Sequence, residues 1–77
     1  MEQKLKESFA VALDIDVKTV QSGLKYQAIP EWDSISHMML ISQIEEDFDI
    51  SIDTDDVIDL SSFEKAIEIL SKYGVNF

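Results

Sequence analysis

The apolar residues of this chain recur every three or four positions, and little in the sequence interrupts that period. Leu5, Phe9 and Leu13 stand four apart in a run of good helix formers from Glu2 to Leu13. Helix breakers are scarce: Gly23, Pro30 and Gly74 are the only ones among 77 residues. Alternation of the kind a strand needs is weak. These features predict an all-α fold, a small four-helix bundle of three main helices plus one short helix, with a long first loop. Ile, Leu, Val and Phe supply 25 of the 77 residues. That is well above the roughly 20% below which a highly charged chain stays disordered. A chain this short supports one core, so residues 1–77 read as a single domain without room for a deep enclosed active site.

Helix signals place the elements. The period is lost after Leu13, and Asp14 to Trp32 reads as a long ordered loop pinned by Ile15, Val17, Val20, Leu24 and Ile29. A loop of this length in so small a domain is often functional. Asp33 then reads as an N-cap, with Ser34 at the first position of a helix running to about Phe48. A short segment from Thr54 to Leu60 carries Val57 and Ile58 behind acids that suit a helix N-terminus. Ser61, with Glu64 three residues on, has the pattern of a capping box. The helix it opens presents Phe63, Ala66, Ile67, Leu70 and Tyr73 on one face and stops at Gly74.

Sixteen acidic residues face six lysines and one histidine, for a formal net charge of −10. The absence of Cys excludes disulfide frameworks, Cys-ligated zinc and thiol catalysis by the chain itself. A single His excludes a multi-His metal site within one chain. The charge opposes binding to nucleic-acid phosphates and to anionic lipid, so neither nucleic acid nor a membrane is an expected partner. No stretch approaches the about 18 apolar residues of a spanning helix. The opening Met-Glu-Gln-Lys-Leu-Lys lacks the apolar run of a secretory leader, and a cytoplasmic monomer is expected. The charge is also uneven. Between Lys25 and Lys65 there are eleven acids and no base, while the remaining five acids are offset by the six lysines. Such a segment is either a face kept acidic for solubility or a docking surface for basic partners.

The helix from Asp33 to Phe48 is apolar on two sides. At about 100° per residue, Leu40, Ile44, Phe48, His37 and Ile41 share one sector, an adequate core face. Ile35, Met38 and Met39 fall on the opposite side with Ser42, Glu45, Glu46 and Asp49. An apolar patch among acids, next to a helix start, reads as a partner site, and Met suits a surface that must fit several partners. The alternative is that the first loop folds back over it. Ser34 sits at the positive end of this helix. As a nucleophile it would need a base, and His37, the one candidate, is turned toward the core; the Gly-x-Ser-x-Gly elbow is also missing. No catalytic residue is therefore expected. A helix N-terminus favours a phosphate, so Ser34 is better placed to carry a phosphate ester than to catalyse.

Trp32-Asp33-Ser34-Ile35, followed by an amphipathic helix ending Ile44-Glu45-Glu46-Asp47-Phe48-Asp49-Ile50, resembles the acyl carrier protein family. That family carries an Asp-Ser-Leu motif at the start of its second helix and an acid run with Phe at its end. The resemblance extends over nearly the whole chain, including the long first loop, the short third helix after an acidic turn and the final helix. It implies that Ser34 receives a covalent 4'-phosphopantetheine arm from coenzyme A, installed by a phosphopantetheinyl transferase. The arm's thiol would hold an acyl or aminoacyl group as a thioester, so the missing Cys is supplied by a cofactor. Asp33 matches the motif acid beside the attachment site. Ile35 stands for the usual Leu, Met38 matches another apolar contact position, and Glu45, Glu46 and Asp47 match the acid run. Partners implied are the transferase, an acyl-loading ligase or acyltransferase, and downstream synthases or transferases. The protein would be a shuttle and not an enzyme.

Three positions depart from the fatty-acid carriers. Trp32 stands where they have a small residue, Met39 where they often have Glu, and Ser36 where they often have Asp. Trp-Asp-Ser with His37 is closer to discrete carriers of specialised pathways, such as polyketide or other secondary-metabolite synthesis, polysaccharide modification or aminoacyl transfer. Leu40, Ile44, Ile58, Ile67 and Ile69 are candidates to line a chain held within the bundle. Two rival readings exist. An EF-hand loop begun at Asp47 needs Gly at its sixth position and Glu at its twelfth; Ile52 and Ile58 stand there, so no metal site is expected. An acidic helical protein-interaction module without a prosthetic group accounts for the charge, but leaves Ile35, Met38 and Met39 beside a capped serine unexplained.

Overall fold

The good helix formers at the N-terminus build α1, Glu2–Leu13, which buries Leu5, Ser8, Phe9 and Leu13 along one stripe. The fold is a computed structural model that describes residues 2–21 and 23–77, so Met1 of the opening segment and Ser22 of the first loop lie outside the described residues. α2 spans Ser34–Phe48, α3 Thr54–Asp59 and α4 Phe63–Lys72. Together they form a small all-α bundle of three main helices and one short one, and α1 packs chiefly against α2. Among the described residues no helix is long and apolar enough to cross a membrane.

α1 and α2 stop on aspartates, Asp14 and Asp49, held in the left-handed region at φ 55° and φ 54°. Asp tolerates this conformation better than most residues with a side chain. α4 ends as expected: Gly74 takes φ 90°, and the amides of Gly74 and Val75 return to the carbonyls of Ser71 and Leu70.

The start of α4 differs from its expected register. Ser62, not Ser61, is the N-cap, and its hydroxyl accepts the Lys65 amide at 3.0 Å. The cause is the first loop. The Tyr26 amide donates to the Ser61 carbonyl at 2.8 Å and the Phe63 amide to the Leu24 carbonyl at 3.0 Å, forming an antiparallel bridge between Lys25 and Ser62. This seam keeps the chain extended through Ser62, so the helix begins one residue later.

The first loop is built as an ordered segment. The Asp16 side chain caps a 3-10 turn over Val17–Thr19 by accepting from Lys18. Val20, Leu24 and Trp32 are buried in the common core. Trp32 is fully enclosed, with its ring edge-on to Phe9 at 5.4 Å, and Phe9 meets Phe63 at 5.2 Å. Such aromatic pairs add about 0.5–1.5 kcal/mol each beyond area burial. Trp32 thus joins the end of the loop to α1 and, through Phe9, to α4.

The expected core face of α2 is the one observed. Leu40, Ile41 and Ile44 are buried, with His37 and Phe48 half-buried. Of the candidates to line an internal chain site, Leu40, Ile44 and Ile69 are core residues and Ile67 is half-buried, whereas Ile58 points outward at 74% exposure. Ile58 faces out because α3 turns Asp56 inward and packs half-buried Val57 against the core, with Leu60 buried just beyond its end.

Candidate functional site

Ser34 is exposed at the first position of α2. Asp33 precedes it in extended conformation, and its carboxylate accepts the Ser36 amide at 2.9 Å. That backbone bond, helped by the Ser36 hydroxyl, holds the Asp33 carboxyl below its usual range, so the cap stays ionised. The Asp33 carbonyl takes the His37 amide at 2.8 Å, closing the first turn. Ser34 is therefore presented by a capped helix whose N-terminal dipole favours an anion at that point.

His37 is not available as a base for Ser34. The Trp32 indole N–H donates to His37 Nδ1 at 3.0 Å, and Nε2 lies 2.8 Å from the Val57 carbonyl. An indole nitrogen only donates and a carbonyl only accepts. Both demands are met by one form of the ring, neutral with its proton on Nε2. The same ring stacks on Trp32 at 6.1 Å and meets Tyr26 at 5.4 Å. His37 thus bridges the first loop, α2 and α3. The sequence placed it toward the core but gave no sign of this role, because its partners lie on two other segments.

α3 is too short to persist alone, and the Asp53 side chain makes no cap bond to it. Its second tether reaches α4. Asp56, only 9% exposed, takes Lys72 Nζ at 2.7 Å on one oxygen and the Tyr73 hydroxyl at 2.6 Å on the other. The Tyr73 oxygen in turn accepts the Asp53 amide at 2.9 Å. With α3 held between the two tethers, a groove of about 300 Å³ opens between α2 and α3, walled by Ser34, Met38, Val57, Ile58 and Leu60 with Tyr26 at its base. A larger cleft of about 500 Å³ lies at the far end of α2, between Lys4, Phe48, Tyr73 and Val75. It is about 20 Å from Ser34 at 1.5 Å rise per residue, so the smaller groove is the one that serves the serine.

The remaining candidate residues divide. Ile35, Met38 and Met39 are exposed at 74%, 58% and 57%, and the first loop does not cover them. The acid run is split. Glu46 is exposed, but Glu45 is half-buried and accepts the Ile52 amide at 2.8 Å, pinning the turn after α2. Asp47 is also half-buried, bonded to the Ser8 hydroxyl of α1 and, at 3.0 Å, to Gln43. Two of the three acids therefore hold the bundle together. The sequence reading gave Ile58 to the bundle interior and passed over Tyr26; both line the groove. Ile58 was legible as an isolated Ile among acids, while Tyr26 carried no signal.

The chain is 30% identical over 71 residues to a protein of Buchnera aphidicola subsp. Schizaphis graminum (strain Sg) named acyl carrier protein. The alignment covers 92% of this chain and 90% of that protein. The chain matches no protein-family model.

Proposed function

The chain belongs to the acyl carrier protein family, and from that membership we propose that Ser34 carries a 4'-phosphopantetheine arm. The protein is a carrier and not an enzyme. The observation that supports Ser34 most directly is its exposed hydroxyl on the capped start of α2, beside an apolar groove. When bound, the arm supplies a thiol on which an acyl or aminoacyl group rides as a thioester. The chain's own residues do the rest. Asp33 fixes the first turn by accepting the Ser36 amide, the positive end of the helix favours an anion on Ser34, and Ile35, Met38 and Met39 offer an apolar contact to the enzymes that act there. Glu46 adds exposed charge at the other end of the helix. Glu45 and Asp47 contribute field to that surface while bonded within the fold.

The partners are a phosphopantetheinyl transferase, a loading ligase or acyltransferase, and downstream synthases or transferases, met by a monomer in the cytoplasm. A specialised pathway accounts better than bulk fatty-acid synthesis for an exposed Met39 where fatty-acid carriers often have Glu, and for the Trp32–His37 pair. The test is intact mass after incubation with coenzyme A and a broad-specificity phosphopantetheinyl transferase. The expected result is gain of one phosphopantetheine, abolished by Ser34→Ala. No gain with an active transferase overturns the reading.

A further inference from the structure

We propose that Tyr26, Trp32 and His37 form a barrier between the groove at Ser34 and the helical core. The group carried on the arm then stays in the groove, and the protein serves short acyl or aminoacyl cargo in place of long alkyl chains. The inference rests on the carrier reading and names the cargo class of the same site. Tyr26 and His37 line the groove and lie 5.4 Å apart. Both rings back onto Trp32, His37 stacked on it at 6.1 Å and Tyr26 edge-on at 6.0 Å. Trp32 itself is fully enclosed and meets Phe9 on its core side. Aromatic rings thus stand between the groove and the buried Leu40 and Ile44. The wall opposite is Val57 with Leu60, side chains that belong to the core packing themselves.

The barrier is fastened by hydrogen bonds that a hydrocarbon cannot replace. A chain moving inward between α2 and α3 must part His37 Nε2 from the Val57 carbonyl, now 2.8 Å away, and push aside a ring whose Nδ1 holds the Trp32 indole N–H at 3.0 Å. Each group orphaned against an alkyl chain loses a partner and gains none. The loop side is stitched as well. The Tyr26 amide donates to the Ser61 carbonyl at 2.8 Å and the Phe63 amide to the Leu24 carbonyl at 3.0 Å. What remains for the cargo is the groove of about 300 Å³. A short group is accommodated there. A long chain fills it and leaves its further methylenes in water, without the burial that would favour holding them.

The experiment loads wild type and His37→Ala with acetyl- or dodecanoyl-phosphopantetheine, using the matching coenzyme A thioesters and the same transferase. Methyl NMR spectra and thermal midpoints of the four products are compared, with circular dichroism to check the fold. In wild type the dodecanoyl and acetyl forms are expected to differ at the groove methyls of Met38 and Ile58 and to agree at the core methyls of Leu40, Ile44 and Ile69. Their midpoints should agree within about 2 °C, because a chain left outside stabilises nothing. In His37→Ala the wall is open, so the dodecanoyl form should shift Leu40 and Ile44 and melt about 4 °C or more above its acetyl form. Wild-type core methyls that move with chain length, or a wild-type dodecanoyl form that melts well above the acetyl one, overturn this inference and leave the carrier reading intact. A folded His37→Ala protein that still excludes the chain overturns it too, and the wild-type pair decides alone if that variant does not fold. A wild-type protein that gains no mass overturns the carrier reading along with it.

Discussion

α3 is tied to α2 through uncharged groups and to α4 through charged ones. On the α2 side the link runs from the Trp32 indole through a neutral His37 ring to the Val57 carbonyl. On the α4 side a carboxylate is shared between an ammonium and a phenol. The first link lies against the enclosed Trp32 ring. The second meets solvent, since the Lys72 side chain is 60% exposed. A half-buried neutral link beside an enclosed ring is costly to break halfway, because a group orphaned there is poorly reached by water. An exposed ion pair is weakened by water and salt. The difference teaches which tether carries the stability of the groove and which one makes it responsive to conditions.

The largest test removes the neutral side altogether. Trp32→Ala deletes the most voluminous of the fully buried side chains, its edge contact to Phe9 and the donor to His37. A loss of about 3–5 kcal/mol of unfolding free energy is expected, measured by urea titration. For so small a domain that is a large fraction of the total. A loss under about 1 kcal/mol would mean that the loop end is not part of the core as described.

A finer cut keeps Trp32 and its edge contact to Phe9 and removes the polar bridge together with the imidazole stacked on the indole. His37→Leu strands the Trp32 N–H and the Val57 carbonyl, and about 1–3 kcal/mol is the expected cost. Because the tether carries no charge, that cost should be the same in low and in high salt. Amide exchange at Leu60, whose N–H bonds to Asp56 at 3.0 Å, should quicken as α3 loosens. A salt-dependent cost would show that charge enters this side too and would erase the contrast.

Most of the fold was legible because it rests on local signals. The spacing of Leu5, Phe9 and Leu13 and the caps at Asp33 and Gly74 need only neighbours in sequence. What escaped was non-local. The Lys25–Ser62 seam shifted the start of α4 by one residue, and nothing in Ser61 or Glu64 foretells a loop segment pairing with them from far upstream. Trp32, His37 and Val57 meet only after three segments fold. The acid run at Glu45 to Asp47 showed the converse: its charge was visible, but Ser8 and the Ile52 amide, which turn two of the acids to internal use, were not. Ser34 and its apolar neighbours were legible because helical periodicity alone places them on one exposed end.

The smallest expected effect is the pH response of the charged side. The hydrogen bond from Lys72, followed by that from Tyr73, holds the Asp56 carboxyl below its ordinary value of 3.8. The unfolded chain then takes up this proton at a higher pH than the folded one. The contribution is therefore complete above the ordinary value and fades as pH falls through the lowered one. At the alkaline end the bond to Asp56 lifts Lys72 above 10.5. Tyr73 is pulled down by the Asp53 amide, but its bond to Asp56, burial and nearby carboxylates outweigh that and lift it above 10.0. Those contributions are present below the ordinary values and fade as pH rises through the raised ones. Thermal melts of wild type and Asp56→Asn across both limbs isolate the effect as a difference. The two curves should lie furthest apart near neutrality and converge at acid pH, where the wild-type carboxylate is itself neutralised. A separation that persists undiminished below the ordinary carboxylate range would assign Asp56 a packing role in place of an ionic one, and α3 would then be held by neutral contacts on both sides.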